Sequence, residues 1–244
     1  MWGNQVKLDP KKLSKTSHEL KQAYVRIAEA ASMTEPFNIH VYEDMDFEGA
    51  VATFKPATEA ERSTGARGKL EIFSGWGVNR ALFKGGHRDF GEAYTVLAHE
   101  MAHLVLGHAF TGKATLQQEI QADQMAGCVV GWLGGSLDDT LSVYKARKME
   151  GYLADGKEQE RNNVPAHAVD NHPGYDERVR IVEQGWTLGN RKANAWAKKS
   201  WPPEYRENRQ QPTAPPEHQA EKEKGLRGMP SCLADVTNKF PILK

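Results

Sequence analysis

The chain has 244 residues, 39% of them hydrophobic, which is enough to bury one sizeable core and short for two. Lysine plus arginine equal aspartate plus glutamate at 32 each, so no global field draws the protein to nucleic acid or to an anionic membrane surface. No apolar run approaches the roughly 18 residues that cross a bilayer, and the opening MWGNQVKLDPKKLSK carries no secretory signal, so a cytoplasmic protein without a membrane span is expected.

Leu13, Leu20, Tyr24, Ile27 and Ala30 recur at helical spacing and predict a first amphipathic helix within 11–32, closed before Pro36. FNIHVYE (Phe37 to Glu43), AVATF (Ala50 to Phe54) and KLEIF (Lys69 to Phe73) alternate and are rich in β-formers, which predicts three short strands. A short helix over GWGVNRALF and a Gly-rich turn precede a long helix from about Glu92 to Phe110. Thr-Gly-Lys-Ala breaks that helix, and Thr115 with Gln118 forms a capping box for the next, which runs to about Trp132 and stops at Leu-Gly-Gly. Ser136 with Asp139 caps a helix ending near Met149, and Asn171-His172-Pro173 opens a last one through Trp186, with Gly189 beyond its end.

From Trp201 onward the chain is rich in Pro, Gln, Glu and Lys and too polar to bury much surface, so disorder is expected there. The expected fold is α+β: a small mixed or antiparallel sheet packed on a mainly helical core, forming one domain over 1–200 (core about 37–189) with a tail over 201–244. Cys128 in a helical pattern and Cys232 in the polar tail suggest one buried and one exposed thiol rather than a disulfide framework.

The chemistry concentrates in AHEMAH, Ala98 to His103. On a helix, residues four apart share a face, so the imidazoles of His99 and His103 can hold one metal ion, and Glu100 can reach a water on that ion as general base. Ala93, Val96, Leu97, Met101, Leu104 and Val105 make this a buried helix, where polar side chains are expensive unless satisfied.

Catalytic zinc usually takes three protein ligands and leaves one position for water. His108 lies nine residues after His99, which on a continuous helix turns it to the opposite side, so it is expected to be structural or solvent-facing. Glu119 is the better third ligand. The helix from His103 to Phe110 climbs about 10 Å, and a helix returning from Thr115 passes Glu119 after about 6 Å and Asp123 after about 12 Å, so the two acids bracket the level of His103. Asp123 is then placed to take the second ring N–H of a ligating histidine. The reverse assignment, Asp123 as ligand and Glu119 as helper, stays open.

With HEMAH, EIQAD and NHPGYDERVRIV in that order, the chain resembles the gluzincin peptidases of the HtpX and CAAX-prenyl-protease type, and also the bacterial neutral zinc metallopeptidases with an E-x-x-A-D element. The resemblance spans roughly Val41 to Gly189. It implies a zincin-like core, one zinc ion on His99, His103 and Glu119, Glu100 as base and Asp123 as support. It also implies that His172-Pro173 and Arg178 lie beside the metal, where His172 or Arg178 would stabilise an oxyanion. The long or transmembrane insertions of membrane-embedded relatives are missing, which turns the expectation away from prenylated substrates.

The expected activity is therefore that of a zinc metalloendopeptidase acting on peptides or unfolded protein, with the substrate aligned on an edge strand such as Lys69 to Phe73. The competing expectation is a catalytically silent or latent zinc-binding regulatory protein. Oligomeric state is not encoded in any motif.

Overall fold

The computed structural model describes residues 13–14, 18–31, 33, 37–42, 50–63, 68–75, 78, 80, 82, 87–110, 114–145 and 173–193. The expected tail, His172 and most of the expected short helix over GWGVNRALF lie outside them. Strands β1 (Leu13–Ser14), β2 (Phe37–Tyr42), β3 (Ala50–Pro56) and β4 (Gly68–Ser74) form one sheet in the order β1-β2-β4-β3. Pairing of β2 with β4 is parallel and the other two pairings are antiparallel, so the fold is α+β with a small mixed sheet.

Two expectations about these segments are corrected. The first helix, α1, spans His18–Ala30, and Leu13 belongs to a strand, where its backbone pairs with Tyr42. Lys69 to Phe73 is not an edge strand: β4 is paired on both sides, and β3 is the strand at that end of the sheet among the described residues. Alternation along a strand reveals which faces are buried but not which strand is central.

A short helix α2 (Glu59–Ser63) follows β3, and α3 (His87–Val105) lies against β3, β4 and α1. Here α3 ends five residues earlier than expected. At Gly107 the backbone takes φ of 77°, a left-handed conformation open to glycine, and a 3-10 turn over His108–Phe110 reverses the chain. The next helix, α4 (Leu116–Leu133), opens on the expected capping box: Thr115 accepts from the Gln118 N–H and the Gln118 side chain accepts from the Thr115 N–H. Every residue of α4 from Gln121 to Leu133 is buried, so this helix forms the centre of the molecule.

After Gly134, left-handed at φ 93°, residues 137–145 are helical (α5), with the Asp139 N–H on the Ser136 hydroxyl as expected. The last described helix, α6, spans Tyr175–Lys192 and packs along α4. A methyl group at Gly127 or Gly131 of α4 would collide with the carbonyl oxygens of Val182 or Trp186, and one at Gly185 or Gly189 of α6 with those of Gln124 or Cys128. The two helices therefore touch backbone to backbone. Gly189 lies inside α6 rather than beyond its end, because this contact requires it. Cys128, expected as a free thiol, is disulfide-bonded; the chain's other cysteine, Cys232, is outside the described residues.

Candidate metal centre

Helix α3 presents His99, Glu100 and His103, and α4, returning antiparallel after the turn at Gly107, presents Glu119, Gln121 and Asp123. The imidazoles of His99 and His103 meet with their Nε2 atoms 3.1 Å apart. Glu119 Oε2 lies 3.1 Å from His99 Nε2, and its Oε1 lies 3.7 Å from His103 Nε2. All three residues are buried, and each offers a ligand atom within 4.8 Å of the others, so together they can hold a metal ion. Donors about 2.0–2.2 Å from a tetrahedral ion lie roughly 3.3–3.6 Å from one another, close to the spacings found.

The electrostatics ask for a cation at that point. Burial works against a charged His99, but its hydrogen bonds to Asp123 and Glu119 outweigh burial and push its pKa up to about 10. In the protein alone a proton on His99 meets this demand, and a metal ion between the same three donors would replace it.

Behind His99 stands a fully buried acid. Asp123 Oδ1 lies 2.9 Å from His99 Nδ1, which leaves Nε2 directed at the donor cluster. Arg178 of α6 donates to Asp123 through Nε and Nη2, both at 2.7 Å, and the Tyr144 hydroxyl of α5 donates at 3.1 Å. The guanidinium also lies over the Tyr144 ring, 4.8 Å from its centroid. Burial alone would raise the Asp123 carboxyl, but Arg178 and His99 hold it well below the usual carboxylate range. Two of the Arg178 donors are thus turned to Asp123, which in turn contacts His99. His172 falls outside the described residues.

Glu100 faces the sheet. Its Oε2 accepts the Ala52 N–H of β3 at 2.7 Å. Burial raises its pKa above the ordinary carboxylate value, opposed by the neighbouring His99 and His103.

Of the two expectations for His108, structural or solvent-facing, the structure has the first, but on the side of His103 rather than opposite it: the residue is buried, with its Nδ1 3.1 Å from His103 Nδ1 and its Nε2 3.1 Å from Gln121 Oε1. A continuous α3 would turn His108 away from His103. Gly107 ends it instead, and the 3-10 turn carries His108 back to the His103 side. Burial, followed by the neighbouring His103, lowers its pKa to about 4 despite Gln121. Gly107 just after the last apolar position was the signal available in the sequence. Gln121, Tyr144 and the Ala52 N–H had no such signal, since each acts only through tertiary proximity. Comparison with known proteins returned no match to a family model, to a curated protein or to a solved structure.

Proposed function

We propose that the protein is a zinc-dependent endopeptidase, with a zincin-like core around α3, in which His99, His103 and Glu119 hold one zinc ion and Glu100 is the general base. The observation that carries this reading is the convergence of two imidazole nitrogens and a carboxylate at one buried point, on a helix that also carries Glu100. Two nitrogen donors and one oxygen suit zinc better than calcium or magnesium, which favour oxygen alone. The ordered HEMAH, EIQAD and NHPGYDERVRIV segments, which resemble those of gluzincin peptidases, support the same reading. Zinc bound there would lower the pKa of a coordinated water to about 7 and polarise the scissile carbonyl.

Glu100 takes the proton of the attacking water and passes it to the leaving amine. Asp123 accepts the Nδ1–H of His99 and so holds it in the tautomer whose Nε2 lone pair would bind the metal, and Arg178 acts through Asp123 by keeping it ionised. His172 is assigned the oxyanion on the resemblance alone. The substrate is an extended peptide or unfolded segment. It adds to the outer edge of β3, where the Ala52 N–H points at Glu100, and by taking over that N–H it frees the base.

A second reading, a latent or silent metal site, is favoured by the burial of the cluster and by that same Glu100 to Ala52 hydrogen bond. Metal analysis of the purified chain followed by casein cleavage with and without chelator separates the two. The peptidase reading expects about one zinc per chain and chelator-sensitive cleavage, with Glu100→Gln retaining zinc while losing about 10²–10⁴-fold in turnover. Zinc without cleavage selects the latent site, and a wild-type chain that takes up no divalent metal removes both.

A further inference from the structure

We propose that His108 and Gln121 are positioning residues that lock the ring of His103 into the tautomer whose Nε2 lone pair faces the donor cluster. The proposal rests on the metal-centre reading for its purpose, but its geometry stands by itself.

The proton positions follow from one end of the chain of contacts. Gln121 Oε1 lies 3.1 Å from His108 Nε2, and an amide oxygen can only accept, so the proton of His108 sits on Nε2. His108 Nδ1 is then a lone pair. It lies 3.1 Å from His103 Nδ1, so that nitrogen must carry the proton and donate it. What remains on His103 is an unprotonated Nε2, directed at His99 Nε2 and Glu119. With the amide of Gln121 reversed, each assignment inverts, and His103 would present a proton to the cluster instead of a lone pair. The orientation of one amide therefore decides whether His103 can bind a metal ion.

Burial gives the contacts their force. His103, His108 and Gln121 are all buried, so bulk water does not readily replace a missing partner. Helix α4 consequently serves the centre with three residues in alternation. Glu119 offers a donor atom, Asp123 orients His99 through a carboxylate, and Gln121 orients His103 through His108. One imidazole is held by a charged partner and the other by a neutral pair.

The test uses the full chain with ¹⁵N-labelled histidine, stripped of metal, and reads each ring's tautomer from long-range ¹⁵N–¹H correlations. Wild-type His103 is expected with its proton on Nδ1. In Gln121→Leu and His108→Phe, which keep the buried volume, His103 is expected to populate the Nε2–H form. Zinc affinity, measured by competition with a chromophoric chelator, is expected to fall about 10–100-fold in both. Gln121→Glu, which retains an acceptor oxygen, is expected to keep the wild-type tautomer and to bind zinc within a few-fold of wild type. A wild-type His103 protonated on Nε2 overturns the proposal without any variant, as do both variants binding zinc as tightly as wild type with an unchanged tautomer. Should wild type show the Nδ1–H tautomer yet bind no zinc, the tautomer lock stands and the metal reading falls.

Discussion

Replacing Arg178 by Met tests how strongly the support behind His99 is held. Methionine keeps the apolar stem and roughly the volume of the arginine but removes two 2.7 Å hydrogen bonds and the charge facing Asp123. Asp123 has no exposure to water, so the carboxylate left behind is buried without its cation. Breaking such a pair from one side costs about 3–5 kcal/mol. Because His99 and the Tyr144 hydroxyl still contact Asp123, the loss should fall near the lower end, about 3 kcal/mol.

Urea unfolding of the metal-free chain followed by circular dichroism reads this directly. With slopes of about 1–3 kcal/mol per molar, the midpoint should drop by about 1–3 M. In an Asp123→Asn background, where no charge is stranded, the same Arg178→Met change should cost about 1–3 kcal/mol less. The pH dependence has a defined sign. Arg178 and His99 depress the Asp123 pKa in the folded state, so the pair's stabilisation is complete above the unfolded value of about 3.9 and is lost as pH falls through the native value. Without Arg178 the native pKa rises, so the gap between wild type and variant should narrow as pH falls through that raised value. A loss below about 1 kcal/mol, or strict additivity with Asp123→Asn, would refute the argument that this pair is buried and coupled.

Three further outcomes follow from other features. Gly189→Ala places a methyl against the backbone of Cys128 and Trp132, with the Cys128 carbonyl carbon at 2.8 Å and the Trp132 nitrogen at 2.9 Å. Overpacking of about 1–3 kcal/mol should more than offset the helix-propensity gain of about 1 kcal/mol, and a thermal melt showing the variant more stable than wild type would contradict the close approach of α4 and α6. Because His99 holds its proton up to about pH 10 in the metal-free chain, zinc binding at neutral pH should release about one proton and tighten as pH rises. Calorimetry in buffers of different ionisation enthalpy measures that number, and zero release would count against the charge demand at the cluster. Finally, burial raises the Glu100 pKa in the metal-free chain, so its carboxyl, followed by carbon-13 NMR without metal, should titrate above the ordinary carboxylate value of about 4.3. Titration at or below that value would contradict the dominance of burial at Glu100.

What could be read from the residues alone was local. The i, i+4 spacing that puts His99 and His103 on one face and the Thr115–Gln118 capping box each depend on contacts within a few residues, and the structure has both; alternating burial is seen in β4, where Leu70 and Ile72 are buried between less buried neighbours. The return of α4 to the level of His103 was also legible, since it needed only helix rise and a short turn. Zinc, proteolysis and the role of Glu100 go beyond both and remain with the proposal.

Tertiary structure decided everything carried by distant pairing. The central place of β4 depends on which strands meet, and Lys69 to Phe73 has the same pattern in the middle of a sheet as at its edge. His108 reached His103 because Gly107 reversed the chain, which a helical wheel cannot represent. Only the resemblance singled out Arg178, with no local pattern naming its partner; it is buried against Asp123, 55 positions away, and Glu100 meets Ala52 across 48. Cys128 was expected to be a free thiol and is disulfide-bonded. Periodicity and capping are short-range and survive in the sequence as pattern, whereas the partner of a buried polar group is chosen by how whole elements pack, and no window of a few residues contains that information.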